Sequence, residues 1–231
     1  MRRRPHRAVL FDLFDTLCRI DTTTYEEGKR RAARILGVDA ELYRQAWIAS
    51  GNGAQVGLLP DLAARVRAVA ASVGGSPDEA TVGRIGRLEE ECLGLATTLY
   101  PDALPALRAV REMAGLKIGL VSNASSIAPM IVASLGLEPF FDHLTFSFRV
   151  GLVKPQPGIY LEACRALLVD PEACLFVGDG NGGELDGAKA LGMEAVRIER
   201  PTAHNPYRKS ESVRFDASVD SLIRIPALLR P

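Results

Sequence analysis

The stretch Ala8-Val9-Leu10-Phe11-Asp12-Leu13-Phe14-Asp15-Thr16-Leu17 decides the fold. Its first four residues are apolar and β-prone and end on a carboxylate, the pattern of a strand buried on both faces that delivers Asp12 at its carboxyl end. The pattern recurs in Lys117 to Asn123 (KIGLVSN), in Cys174 to Asp179 (CLFVGD) and in Glu194 to Ile198 (EAVRI), the last after a helical stretch closed by Gly192. Helical periodicity fills the intervals at 104–114, 127–135, 160–168 and 185–191. Strands alternating with helices of about three turns predict a Rossmann-like, doubly wound parallel sheet, an α/β fold. Ligands of such sheets bind where the strand order reverses, at the carboxyl ends of the strands, so the polar residues gathered there mark the expected site.

Residues 20–99 differ, with no buried-strand signature and with Ala, Leu, Arg and Glu at helical spacing over 25–36, 41–48, 62–73 and 77–95. Gly37, Gly51-Asn52-Gly53 and Gly74-Gly75-Ser76 punctuate them. They predict an all-helical cap domain (20–99) inserted into a core formed by 1–19 and 100–231, with the turn Tyr100-Pro101-Asp102 returning the chain to the sheet. Gly51 to Gln55 reads as a loop, either lining a ligand site or simply joining helices. The tail beyond Pro201 is loop-rich, with an edge strand expected at 213–215.

The chain has 231 residues, 28 basic against 28 acidic side chains, 47% hydrophobic and 24% charged residues, which suits one packed domain with or without an insertion. Zero formal charge supplies no chain-wide field for nucleic acid or an anionic membrane. No run approaches the roughly 20 apolar residues of a membrane span, and the basic start leads into too short an apolar run for a signal peptide. The expectation is a cytoplasmic protein whose partner is a small molecule, with no nucleic acid and no membrane. Cys18, Cys92, Cys164 and Cys174 are scattered and form no CxxC pair, which predicts reduced thiols rather than a zinc site or disulfides. His6, His143 and His204 show no metal or triad spacing.

Four separated elements converge if the sheet forms: Asp12, Ser122, Lys154, and the acidic loop from Gly178-Asp179 to Glu184. Together with their surroundings, Phe11-Asp12-Leu13-Phe14-Asp15-Thr16-Leu17, Val121-Ser122-Asn123, Val153-Lys154-Pro155-Gln156-Pro157, and Val177-Gly178-Asp179 followed by Glu184 and Gly187 to Met193, they resemble the motifs of the haloacid dehalogenase superfamily of hydrolases. A helical cap inserted after the first motif is also a feature of that family. The resemblance implies Asp12 as the nucleophile. It implies Asp12, Asp179, the Phe14 backbone carbonyl and Glu184 as ligands of Mg²⁺. Ser122 would offer its hydroxyl and Asn123 its backbone N–H to phosphoryl oxygens, with Lys154 the fixed cation. The chemistry is coherent: a carboxylate attacking a phosphate dianion needs its repulsion screened by a metal, magnesium takes hard oxygen ligands, and a preplaced cation stabilises developing charge.

One position departs from that pattern. Phosphatases of the superfamily usually carry a second aspartate two residues after the nucleophile, where this chain has Phe14, which can do no acid–base chemistry. Dehalogenases of the superfamily carry an aromatic residue there, but they need no metal and typically lack the acidic pair supplied here by Asp179 and Glu184. Because a buried acidic cluster without a cation is costly, the expectation is a Mg²⁺-dependent phosphatase acting on a small phosphate monoester through an aspartyl-phosphate. The alternatives are a metal-independent 2-haloacid dehalogenase and a catalytically impaired member that binds a phosphorylated ligand or a protein. Asp15 is a candidate substitute acid. Asp186 is expected to pair with a nearby lysine, Tyr43 and Trp47 to pack within the insert, and Arg44 to be solvated or to meet a substrate carboxylate. Lys29, the insert's only lysine, is not expected to form a Schiff base.

Overall fold

The computed structural model describes residues 5–200 and 211–230. In chain order, β1 (Ala8–Phe11) and β2 (Cys18–Ile20) precede helices α1 (Thr22–Leu36), α2 (Ala40–Ala49), α3 (Gly51–Gln55), α4 (Leu62–Ser72) and α5 (Glu79–Ala96), and β3 (Thr97–Leu99) then pairs antiparallel with β2. There follow α6 (Ala103–Arg111), β4 (Lys117–Ser122), α7 (Ala128–Ser134), β5 (His143–Phe146), α8 (Ser147–Val150), α9 (Pro157–Leu167), β6 (Cys174–Gly178), α10 (Glu184–Ala190), β7 (Glu194–Ile198), β8 (Ala217–Val219) and α11 (Ile225–Leu228).

Six strands form a parallel sheet in the order β5-β4-β1-β6-β7-β8. The chain lays β4 and β5 on one side of β1, then crosses back to lay β6, β7 and β8 on the other, so the order reverses at the centre. The crevice expected of such a reversal is where Asp12, Ser122 and Asp179 end β1, β4 and β6. Alternate residues of β1 serve opposite faces: Val9 and Phe11 join one hydrophobic core, Ala8 and Leu10 the other. Burial on both faces is why this strand reads as an unbroken apolar run. The helical insert packs around a separate core that includes Ala32, Tyr43, Trp47, Val66 and Ile85.

Four features differ from expectation. The edge strand lies at Ala217–Val219 rather than 213–215, because the Val213 and Arg214 N–H groups are taken by the Asp186 carboxylate (3.0 and 2.9 Å) and Val213 is exposed. Residues 51–55 form the short helix α3 instead of a loop, since Ala54 and Val56 donate to the Ser50 and Asn52 carbonyls. Strand β5 and the β2–β3 ribbon were not foreseen. His143 and Thr145 interrupt the apolar pattern of β5, an edge strand, and three-residue strands are too short for periodicity to register.

A polar latch ties the loop after β1 to the chain's return from the insert. Asp102 Oδ2 accepts from Arg200 Nη1, Ser221 Oγ and the Leu222 N–H, each at 2.9 Å, while Arg200 Nη2 donates to the Thr16 carbonyl at 2.6 Å. Burial works against the Asp102 carboxylate, but the Arg200 guanidinium, the Leu222 N–H and the Ser221 hydroxyl outweigh it and hold its pKa below the ordinary 3.8. A depressed folded-state pKa contributes stability above the unfolded value, and that contribution is lost as pH falls through the folded value. Asp102→Asn is therefore expected to cost about 1–3 kcal/mol near neutral pH, and the gap between variant and wild-type urea midpoints should shrink as pH drops below 3.8.

Candidate active site

Asp12 extends the β1–β6 ladder by one residue, its N–H donating to the Val177 carbonyl at 2.9 Å. Its carboxylate thereby lies beside Asp179, which follows β6. Asp15, three residues on, is a non-glycine residue in the left-handed region (φ 59°) with its N–H on the Cys18 carbonyl at 2.7 Å, closing the turn that carries Phe14. Lys154 lies between α8 and α9, and the Asn123 side chain holds its backbone from both sides. Asn123 Oδ1 accepts from the Lys154 N–H (2.7 Å) and Nδ2 donates to the Lys154 carbonyl (3.1 Å).

From there the Lys154 ammonium donates to Asp12 Oδ1 and to Glu184 Oε2, the latter at 2.5 Å. Glu184 opens α10 and folds back over β6: its Oε1 accepts from the Gly180 N–H at 3.0 Å. A Cβ at residue 178 would stand 2.1 Å from that oxygen, which is why glycine precedes Asp179. Gly187 plays the matching part, since a Cβ there would stand 2.7 Å from the Pro155 carbonyl and push α10 off the Lys154 loop. Tyr160 on α9 donates its hydroxyl to the Glu184 carbonyl at 2.7 Å and pins the start of α10.

Asp12, Asp179, Glu184 and Lys154 are each at most 6% exposed, and carboxylate oxygens of the three acids lie within 4.8 Å of one another. Burial pushes the Asp12 carboxyl up; Lys154 opposes and Asp179 adds to the rise. Glu184 is pushed well up by burial, opposed by Lys154 and reinforced by Asp12 and Asp179. Lys154 shows the converse: burial alone would lower it, yet the two carboxylates hold it above its ordinary value. Three carboxylates around one ammonium leave a buried excess of negative charge with an all-oxygen donor set. A hard divalent cation fits that set in charge and in donor type.

Ser122 is fully buried at the end of β4, and among the described residues its hydroxyl has no hydrogen-bond partner. Phe14 is half-buried and packs its ring against the core while lining a cavity of about 650 Å³. The cavity runs from Asp12, Asp15, Asn123, Lys154, Asp179 and Glu184 to the insert. The structure thus gathers Asp12, Lys154, Asp179 and Glu184 into direct contact and sets Ser122, Asn123 and Phe14 around them.

The remaining side-chain expectations divide. Tyr43 and Trp47 stack in the insert core with ring centroids 6.0 Å apart. Arg44 pairs with Glu41 at 2.6 Å. Asp186 pairs with Arg214 at 3.1 Å and not with a lysine, because Lys189 is taken by Asp216 at 2.8 Å. Lys29 is buried against Glu89. All four cysteines are free and buried. His204 lies outside the described residues. Among the described residues no helix is long and apolar enough to cross a membrane.

Two contributors left no local signal in the chain. One is the Asn123 side chain, whose partner is 31 residues away. The other is Ser212, whose hydroxyl accepts from the Leu185 N–H and donates to the Gly180 carbonyl, both at 3.0 Å, closing the loop that joins Asp179 to Glu184. Ser212→Ala leaves the buried Leu185 N–H without a partner, while the Gly180 carbonyl keeps the Ser212 N–H at 2.8 Å, and is expected to cost about 1–3 kcal/mol, read as a lower urea midpoint; an unchanged midpoint would show that the loop stands without it.

Comparison with known proteins gives a consistent picture. The haloacid dehalogenase-like hydrolase family matches residues 6–192. A glyceraldehyde 3-phosphate phosphatase of Methanopyrus kandleri is 32% identical over 204 residues, covering 84% of each chain. A haloacid dehalogenase-like hydrolase domain-containing protein 3 of Mus musculus is 30% identical, covering 83% of this chain and 81% of its own. Among solved structures, an L-2-haloacid dehalogenase from Xanthobacter autotrophicus aligns with a TM-score of 0.66 at 26% identity, over 96% of this chain and 98% of its own. With the sheet order, the buried acid–lysine cluster and a match over most of its length, the chain belongs to the haloacid dehalogenase-like hydrolases.

Proposed function

We propose that this hydrolase is a Mg²⁺-dependent phosphatase acting on a small phosphate monoester in the cytoplasm, with residues 20–99 serving as a cap over a core of 1–19 and 100–231. The observation that carries this is the buried cluster Asp12–Asp179–Glu184 with Lys154 as its one ammonium. A metal-independent dehalogenase has no use for so costly a cluster. Asp12, Asp179 and Glu184, with the Phe14 carbonyl, would hold the ion, which when bound screens the approach of a carboxylate to a phosphate dianion.

The chain's own residues do the rest. Lys154 holds Asp12 Oδ1 and so fixes the rotation of the attacking carboxylate. The carboxylate attacks phosphorus as the bond to the alkoxide breaks and the alkoxide takes a proton from solvent, and water then attacks the aspartyl-phosphate at phosphorus, gives its proton to solvent and regenerates Asp12. Ser122 and the Asn123 N–H bind the non-transferred phosphoryl oxygens, and Lys154 balances their charge. The leaving oxygen meets Phe14 where an acid would serve it, so good leaving groups are favoured. Phe14→Asp is expected to raise turnover of alkyl phosphates by about 10²-fold or more, the usual worth of a placed general acid, and to change aryl phosphate turnover much less. Equal effects on both would remove Phe14 from the leaving-group side.

Phe14 and the dehalogenase likeness favour a second reading, halide displacement from a 2-haloacid. One set of assays separates them: hydrolysis of p-nitrophenyl phosphate with and without EDTA, beside halide release from 2-chloropropionate. Phosphate release abolished by EDTA supports the phosphatase; EDTA-resistant halide release supports the dehalogenase. Silence in both marks a member that binds its ligand without turning it over.

A further inference from the structure

The insert end of the cavity carries charge opposite to that of the catalytic end. Lys29 on α1 is fully buried, pairs with Glu89 on α5, and lies over the rings of Tyr25 (3.9 Å) and Trp47 (4.4 Å). The other Glu89 oxygen accepts from the Tyr43 hydroxyl at 3.4 Å, so this carboxylate is engaged on both oxygens within the insert. Arg65 on α4 lies over the Trp47 ring at 4.0 Å, donating from Nε to Ser50 Oγ and from Nη2 to the Trp47 carbonyl, each at 2.9 Å. Tyr25, Lys29, Trp47, Arg65 and Glu89 all line the cavity.

Lys29, Arg65 and Glu89 sum to one positive charge, and its source is Arg65. Among the described residues no carboxylate pairs with this guanidinium, and its Nη1 makes no hydrogen bond. Its two bonds cap the carboxyl end of α2, which recovers part of the cost of partly burying a cation. They do not supply a counter-charge, and a part-buried cation with no carboxylate paired to it is left with its charge unmet. Trp47 would otherwise offer a platform for a sugar ring, but two cations already lie over it, so the surface presented here is cationic rather than aromatic.

We propose that this end of the cavity binds a second anionic group, carboxylate or phosphate, through Arg65. Preferred substrates are then phosphorylated acids or bisphosphates rather than phosphorylated polyols. The proposal rests on the phosphatase function above and narrows its substrate class. Nη1 and the remaining Nη2 hydrogen would donate to the anion, the charge-assisted geometry at which guanidinium excels.

The test compares substrates that differ only in that group, with Mg²⁺ and the full chain. 3-Phosphoglycerate is set against glycerol 3-phosphate, and fructose 1,6-bisphosphate against fructose 6-phosphate. In at least one pair the doubly anionic substrate is expected to have a kcat/KM at least tenfold higher, and Arg65→Gln should reduce that ratio at least tenfold while Arg65→Lys retains most of it. Which pair responds tells carboxylate from phosphate. A wild-type ratio below tenfold in both pairs overturns the proposal, as does a ratio that Arg65→Gln leaves unchanged. The wild-type ratio needs no variant, so the test survives a variant that fails to fold. Hydrolysis of p-nitrophenyl phosphate checks the underlying function separately. If that fails, calorimetric binding of the same pairs to the Mg²⁺-loaded Asp12→Asn protein decides the cavity alone, by the same tenfold criterion.

Discussion

Asp12→Asn is expected to lower turnover of p-nitrophenyl phosphate by at least about 10⁴-fold, the scale of losing a nucleophile, without loss of the fold. The amide is isosteric and keeps an oxygen for the Lys154 ammonium, and the backbone bond from residue 12 to Val177 does not involve the side chain. What is lost is the anionic oxygen proposed to attack phosphorus. The substitution also removes one of three clustered buried carboxylates, and Asp12 is among the groups that push Glu184 up. The metal-free variant is therefore expected to melt no lower than wild type. Mass spectrometry of rapidly quenched mixtures should find a phosphoryl adduct in the wild type and none in the variant. Retained turnover would remove Asp12 as the nucleophile.

The second large effect is on stability. Lys154→Met keeps the length of the side chain but leaves Asp12 and Glu184 buried without their shared cation. Breaking a buried pair by removing one partner typically costs about 3–5 kcal/mol, because the remaining charge stays desolvated. Here two carboxylates lose the same partner, so the metal-free protein should fall in that range, measured as a lower urea midpoint, and Mg²⁺ should restore part of it. Exposed pairs such as Arg30–Glu27 on α1 provide the contrast, since removing them should cost about 1 kcal/mol or less. A Lys154→Met loss as small as theirs would mean that protonation of the carboxyls relieves the site without help from the lysine.

Much of the fold was legible for a specific reason. β1, β4, β6 and β7 are buried on both faces, so each appears as a short apolar run, and the polar residue ending it stands out. The insert's four longer helices were legible through their spacing, with boundaries shifted by a few residues. β5 was not, because the half-buried His143 and the buried Thr145 break the apolar run of a four-residue strand at the sheet edge. α3 was not, because Gly51-Asn52-Gly53 is turn chemistry that only its continuity with α2 makes helical.

The candidate site divides along the same line. Asp12, Ser122, Asn123, Lys154, Asp179 and Glu184 could be named from the chain, because each sits at a strand end or in a short motif beside one. The chain could not show that Asn123 would spend its side chain on the Lys154 backbone, that Ser212 would close the loop between two acids, or that Arg65 would reach the far end of the same cavity without a counter-charge. Periodicity and motif spacing record what each residue needs from its local environment: a buried face, a turn, a strand end. Pairings between groups 15, 31 or 60 residues apart depend on which elements the packed sheet and insert bring side by side. Burial is also what gives the Lys154 ion pairs their strength, and burial exists only once the chain has folded.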